Sequence, residues 1–235
     1  MRIDYCVIVI VTLFVKSKIA LCQYQDGNVF EPKLSGRPYV HTSNILGSQF
    51  FFDNWYKGDI KFKNGIILKN KDLNYNGYIN KFIWVNNNNL PVVLDDYFIS
   101  EVHININGQE ILFFHRIPYN NEQNKDTIEI FAQLLSLNKV KLYAYRQVIK
   151  DRSVEVPNKN GTYQKTLVVY KPVYIFIFPD GKSISTSRLS SRKLISLFSE
   201  NERKGIKLLL RNSNLNIRSE KDLIQFNEIL SNHLL

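Results

Sequence analysis

His103 and His115 are the side chains in this sequence best spaced to share a chemistry. They lie on either side of Asn107-Gly108, a dipeptide that favours a tight hairpin. A two-residue turn there sets His103 opposite Leu112 and His115 opposite Ser100. Those pairs point to opposite faces of the ribbon, so a shared metal is not expected. His41 falls in a polar leader and His233 at the C-terminal end, where solvated imidazoles are the ordinary outcome. Asp95-Asp96, with Glu101 nearby, is the only adjacent acidic pair. Glycoside chemistry needs carboxyls roughly 5 to 9.5 Å apart across a cleft, which adjacency in a turn does not supply. The chain contains no G-x-S-x-G elbow, no G-x-x-x-x-G-K phosphate loop and no H-E-x-x-H helix. No catalytic, cofactor-binding or metal residue is assigned, and no cofactor is expected.

Aromatic residues offer a different chemistry, that of contact. Phe50, Phe51, Phe52, Trp55 and Tyr56 crowd around Asp53 and Lys57. Exposed aromatics anchor partners, so Phe51, Asp53, Trp55 and Tyr56 form a candidate contact patch. The competing reading is that the same rings plug one end of a sheet's core.

The elements that must hold these residues begin after an export signal. Met1 to Cys22 has a basic start at Arg2, an apolar run from Cys6 to Val15, and Ala20 and Cys22 as small residues before Gln23. Cleavage between Cys22 and Gln23 is expected. Lipid attachment at Cys22 is disfavoured, because Leu21 stands where lipoprotein processing requires a small residue. Both cysteines of the chain, Cys6 and Cys22, leave with such a leader, so the mature chain has no thiol. No later segment approaches the length of a membrane helix.

Charge is unevenly distributed. From Gln23 to Leu137 there are 10 Lys and Arg against 12 Asp and Glu, whereas from Asn138 to Leu235 there are 18 against 8. The basic half could face an acidic partner. It lacks the basic-aromatic signature of RNA-binding sheets, and no nucleic acid is expected.

Residues 23–46 are polar, with Pro32 and Pro38, and read as an extended leader. Residues 47–186 alternate with the period of half-buried strands, punctuated at Asn64-Gly65, Asn76-Gly77 and Asn107-Gly108. Segments with strand character lie at 58–63, 66–75, 78–85, 92–94, 98–105, 109–117, 128–136, 140–149, 166–178 and 182–185, and a sheet of about eight strands is expected from among them. Lys150 to Tyr163 reads as a long loop or a frayed ribbon. From Ser190 the period becomes helical. Ser199 to Glu202 is a capping box, and Ser219 with Asp222 opens a last helix carrying Leu223, Phe226, Ile229 and Leu230. Strands followed by about three helices spell an α+β domain over 47–235, with 190–235 as a helical cap.

The stretch Gly47, Ser48, Phe50, Trp55, Gly58, Ile60, Asn64, Gly65, Leu73, Tyr75 and Asn76 resembles the opening of a family of uncharacterised exported proteins widespread in Bacteroidetes. FAQLLSLNKVKLYAYRQVIK and the Lys-rich tail from Ser191 to Leu234 are similar to later segments of that family, with Asn138 where its members often have Gly. The resemblance implies export and an α+β fold; it implies no activity, substrate or catalytic residue. The expectation is a non-enzymatic periplasmic or outer-membrane-associated binding protein, with release to the medium as a further destination. The alternatives are an enzyme with its site in the sheet's concavity, and a subunit of an envelope complex using the basic C-terminal surface. Its partner would be an envelope protein or ligand.

Overall fold

The computed structural model describes residues 34–120, 126–159 and 161–233. The expected signal segment, its cleavage site at Cys22 and Gln23, and the leader as far as 33 lie outside them. Among the described residues, fourteen strands precede three helices. The strands are β1 (Gly36–Pro38), β2 (Ile45–Leu46), β3 (Tyr56–Phe62), β4 (Ile67–Asn76), β5 (Lys81–Val85), β6 (Pro91–Leu94) and β7 (Ile99–Ile106). There follow β8 (Glu110–Asn120), β9 (Thr127–Leu137), β10 (Lys141–Tyr145), β11 (Val148–Asn158), β12 (Gly161–Tyr170), β13 (Val173–Ile177) and β14 (Ser183–Thr186). The helices are α1 (Ser191–Ser196), α2 (Glu200–Asn212) and α3 (Glu220–His233).

The α+β class is as the sequence implies, but the strand count exceeds eight, in part because β1 and β2 fall within the expected leader and in part because strands break. Two apolar runs that read as single strands each break in the middle. One breaks at Arg146-Gln147, between β10 and β11. The other breaks at Lys171-Pro172, where proline has no N–H for a ladder. Between the breaks the chain leaves the main sheet and returns. Eleven strands make that sheet in the order β1-β6-β5-β4-β3-β7-β8-β9-β10-β13-β14, and β11, β12 and β2 make a second one. Every pairing is antiparallel except β12 with β2, where Thr166 and Leu167 face Ile45 and Leu46.

The main sheet is rolled. Five strand spacings separate β5 from β9, about 24 Å in a flat sheet. Yet the rings of Phe82 on β5 and Phe131 on β9 have centroids 5.2 Å apart. Phe114 on β8 lies 5.2 Å from Phe82 and 5.5 Å from Tyr75 on β4. Inside the roll these rings pack with Phe52, Ile60, Leu73, Leu94, Val102 and Ile104. The concavity is therefore filled with side chains. Phe52 does plug this core, and Tyr56 packs edge-on against it at 5.4 Å.

The helices cover the same face further along, over β10 and β13. Leu194, Phe198, Ile206, Leu210, Leu223, Phe226 and Leu230 pack there on Leu142, Ala144, Tyr174 and Phe176. The capping box is formed: Glu202 accepts from the Ser199 backbone N–H at 2.8 Å. Asp222 does the same for α3, accepting from the N–H groups of Arg218 and Ser219, both at 2.9 Å. No helix among the described residues is long and apolar enough to cross a membrane.

Candidate functional site

Two places on this frame gather polar and aromatic side chains: the root of the β11–β12 arm, and the convex face of the rolled sheet. The arm is a ribbon of 11 and 10 residues, joined by a register running from Val148 opposite Tyr170 to Asn158 opposite Gly161. An isolated two-stranded ribbon is marginal in water, so what holds its root matters. Val148 and Val168 are buried there. The β4–β5 loop clamps the root from one side, with Val148 N–H donating to the Gly77 carbonyl at 3.0 Å. A Cβ on Gly77 would lie 2.3 Å from the Arg146 carbonyl, so only glycine permits this approach.

Arg146 ties the root to the rest of the molecule. It continues the phase of Leu142 and Ala144, so its side chain enters the protein beneath the helical cap. Its guanidinium donates to Gln133 Oε1 on β9 at 2.7 Å and to the Tyr170 hydroxyl on β12 at 3.0 Å. Two further bonds reach Glu220 at the start of α3, at 2.6 and 2.9 Å. The Phe51 ring lies 5.0 Å from its centre, a cation–π contact. Only 8% of the Arg146 side chain is exposed, against 31% of Glu220. Burial works against the charged guanidinium, but Glu220 and Tyr170 together outweigh it and raise the pKa. Burial raises the Tyr170 hydroxyl, and Arg146 offsets part of that. Tyr174 is pushed up strongly by burial and then by the Glu220 charge.

Beside this knot opens a cleft of about 300 Å³, lined by Ser48, Phe50, Phe51, Val148, Val168 and Tyr170. Of the expected contact patch, Phe51 lines the cleft and tilts against Tyr170 at 5.9 Å. Trp55, 40% exposed, stands beside Phe50 at 6.2 Å. Asp53 is exposed and makes no ion pair among the described residues. Tyr56 turns to the core with Phe52. The patch thus divides into Phe51 at the cleft, Tyr56 at the core, and Asp53 and Trp55 exposed to solvent.

On the convex face the expectation about the histidines is corrected. The loop after β7 spans three residues rather than two, with Ile106 facing Glu110. Asn107 and Gly108 both have positive φ, 52° and 76°. The extra residue shifts the register by one, so His103 faces Phe113 and His115 faces Glu101. Both imidazoles and Glu101 therefore share a face. Glu101 receives Lys61 Nζ at 2.9 Å and contacts His103 Nε2 at 3.1 Å, while His115 Nδ1 lies 3.4 Å from the Tyr143 hydroxyl. Burial opposes ionisation of Glu101, but Lys61 and His103 together hold its pKa below the usual carboxylate value. Burial lowers His115, with Glu101 offsetting part of the effect, and burial raises Tyr143. No group of three or more acidic, histidine or cysteine side chains is arranged to hold a metal among the described residues.

The Arg146 knot escaped the sequence reading because its members lie on β9, after β10, on β12 and on α3. One signal was present: an arginine in phase with buried Leu142 and Ala144 must find a partner or be expelled. The fold and site together define an α+β protein with a rolled antiparallel sheet, a helical cap and an anchored β-arm. The chain matches no family model, no curated protein and no solved structure.

Proposed function

We propose that this is an exported, non-enzymatic binding protein of the cell envelope, periplasmic or attached to the outer membrane, that grips its partner with the arm and the cleft at its root. One observation carries the reading: the arm is firmly anchored where it leaves the body and bare beyond. Val148, Val168 and Arg146 are buried, whereas residues 151–153 and 161–164 are exposed. A solvated ribbon orders many residues without burying a core of its own, which becomes favourable when a partner covers it. Its outer edge is guarded against indiscriminate pairing by Pro157, a register shift between Lys150 and Arg152, and charged Asp151 and Glu155. Contact would therefore run through the faces of the ribbon, where Tyr163 is 38% exposed, and into the cleft.

The test is pull-down after crosslinking from fractionated cells, using the full chain and an arm-shortened variant. Ser153 faces Thr166, so replacing 154–165 with Asn-Gly closes the ribbon early without disturbing its root. A companion recovered from the envelope fraction by the full chain and lost with the short arm supports the reading. Recovery solely from the cytoplasm, or the same companion with both chains, contradicts it.

The convex-face row supports a second reading, an enzyme using His115 as a base and Tyr143 as its neighbour. The filled concavity moves that reading's site from the inside of the sheet to its outside. Loss of a measurable turnover on His115→Gln, with the arm irrelevant, would favour it.

A further inference from the structure

We propose that the outward stripe of α2 docks on an anionic phospholipid surface. Ile206 and Leu210 turn α2 inward, which directs Lys204, Lys207, Leu208 and Arg211 to the opposite side at spacings i, i+3, i+4 and i+7. All four are exposed, Leu208 by 57%. None of the three cations makes an ion pair among the described residues.

Of the five acids on α2 and α3, three are committed elsewhere, and Glu228 lies exposed on α3. Glu202 accepts from Ser199 in the capping box, and Glu220 is held by Arg146. Asp222 accepts from the backbone at the start of α3. Glu200 stands one turn before Lys204 in the N-terminal turn of α2, where it complements the helix dipole. The outward field of the helix is thus positive, within a C-terminal half carrying 18 basic against 8 acidic residues.

A bilayer suits this stripe better than an acidic protein does. Two of the three cations are lysines, compact charges on flexible stems, matched to a fluid array of headgroups more than to fixed carboxylates. Leu208 lies among them, where an aliphatic tip can pass between headgroups. This inference goes beyond the binding role of the arm and holds in whichever compartment the protein meets a membrane.

The test is co-sedimentation of the full chain with equimolar phosphatidylglycerol and phosphatidylcholine vesicles, and with phosphatidylcholine alone. Binding to the first and not the second is expected. Each basic residue near an anionic surface strengthens partitioning about fivefold, so Lys204→Gln, Lys207→Gln and Arg211→Gln together weaken it roughly 100-fold. Leu208→Ser weakens it roughly fivefold. Lys204→Arg with Lys207→Arg, which keeps the charge, leaves binding intact. Raising the salt to about 1 M, where the Debye length is about 3 Å, abolishes it. As a control of equal charge, Lys150→Gln, Arg152→Gln and Lys159→Gln on the arm have little effect. Absence of binding to anionic vesicles overturns the proposal, as does an equal loss from the arm and helix triples.

Discussion

Replacing Arg146 with methionine, and Glu220 with glutamine, separates the claim that the arm is locked to the body from a merely decorative ion pair. Arg146→Met keeps much of the aliphatic bulk while deleting the bonds to Gln133, Tyr170 and Glu220. Losing one partner of a buried pair costs about 3–5 kcal/mol when the other remains dry. Glu220 is 31% exposed and can recover water, which lowers that share to about 2 kcal/mol. Stranding the Gln133 oxygen adds about 1–2 kcal/mol, and losing the ring contact with Phe51 about 0.5–1 kcal/mol. The expected total is about 3–5 kcal/mol. Glu220→Gln leaves a guanidinium only 8% exposed facing a neutral amide, at a cost of about 2–3 kcal/mol. The double variant should then be less destabilised than the sum, with a coupling of about 1–3 kcal/mol. Urea denaturation reads these values from the midpoint at constant slope. Hydrogen exchange should show protection falling together at the arm root and the first turn of α3. Single variants within about 0.5 kcal/mol of the parent, combining additively, would refute the reasoning.

Phe114→Ala removes a ring that meets Phe82, Tyr75 and Phe52 inside the roll, so it should cost about 3–5 kcal/mol by urea midpoint; a change below about 1 kcal/mol would mean the sheet is not rolled around it. Stability should fall in acid. His115, lowered by burial, resists protonation in the fold, so its contribution is present above the ordinary imidazole pKa near 6.5 and is lost as pH falls below it. Glu101, also lowered, loses its contribution at lower pH still, as the carboxylate is protonated. The reverse holds in alkali: burial and then Tyr119 push the Tyr145 hydroxyl to about 12, so stability is full below the ordinary tyrosine value near 10 and lost as pH rises through 12. Thermal midpoints across pH check both limbs, with His115→Gln and Tyr145→Phe flattening their respective sides. For export, the mature chain should begin at Gln23 by mass spectrometry and bind no thiol reagent when unfolded; retention of Met1 would remove that part of the proposal.

The class of fold was legible because its signals are local. Alternation at Val102, Ile104 and Phe114, and the change of period after Ser190, each needs only a few neighbouring residues. The capping box at Ser199 and Glu202 is likewise written in four consecutive positions. What stayed hidden depends on distance or on single-residue counts. One residue more in the Asn107-Gly108 loop moved His115 from the expected partner Ser100 to Glu101, and with it the whole convex-face row. Residues 140–149 and 166–178 each read as one strand, yet the breaks at Arg146-Gln147 and Lys171-Pro172 are where the chain departs for the arm and comes back. The Arg146 knot joins positions up to 87 residues apart, between Gln133 and Glu220, and no local pattern encodes that. The aromatic lead-in was recognisable as a cluster, but which rings face the core and which face the cleft follows from the path of the arm.

Site-specific photocrosslinking in living cells tests the contact role of the arm most directly, with the probe placed at Tyr163 on the ribbon, at Trp55 beside the cleft, and at Leu137 away from both. A single adduct of the same mass from Tyr163 and Trp55, with none from Leu137, is the expected outcome. Equal labelling at all three positions, or none at Tyr163, would contradict a binding protein that works through its arm.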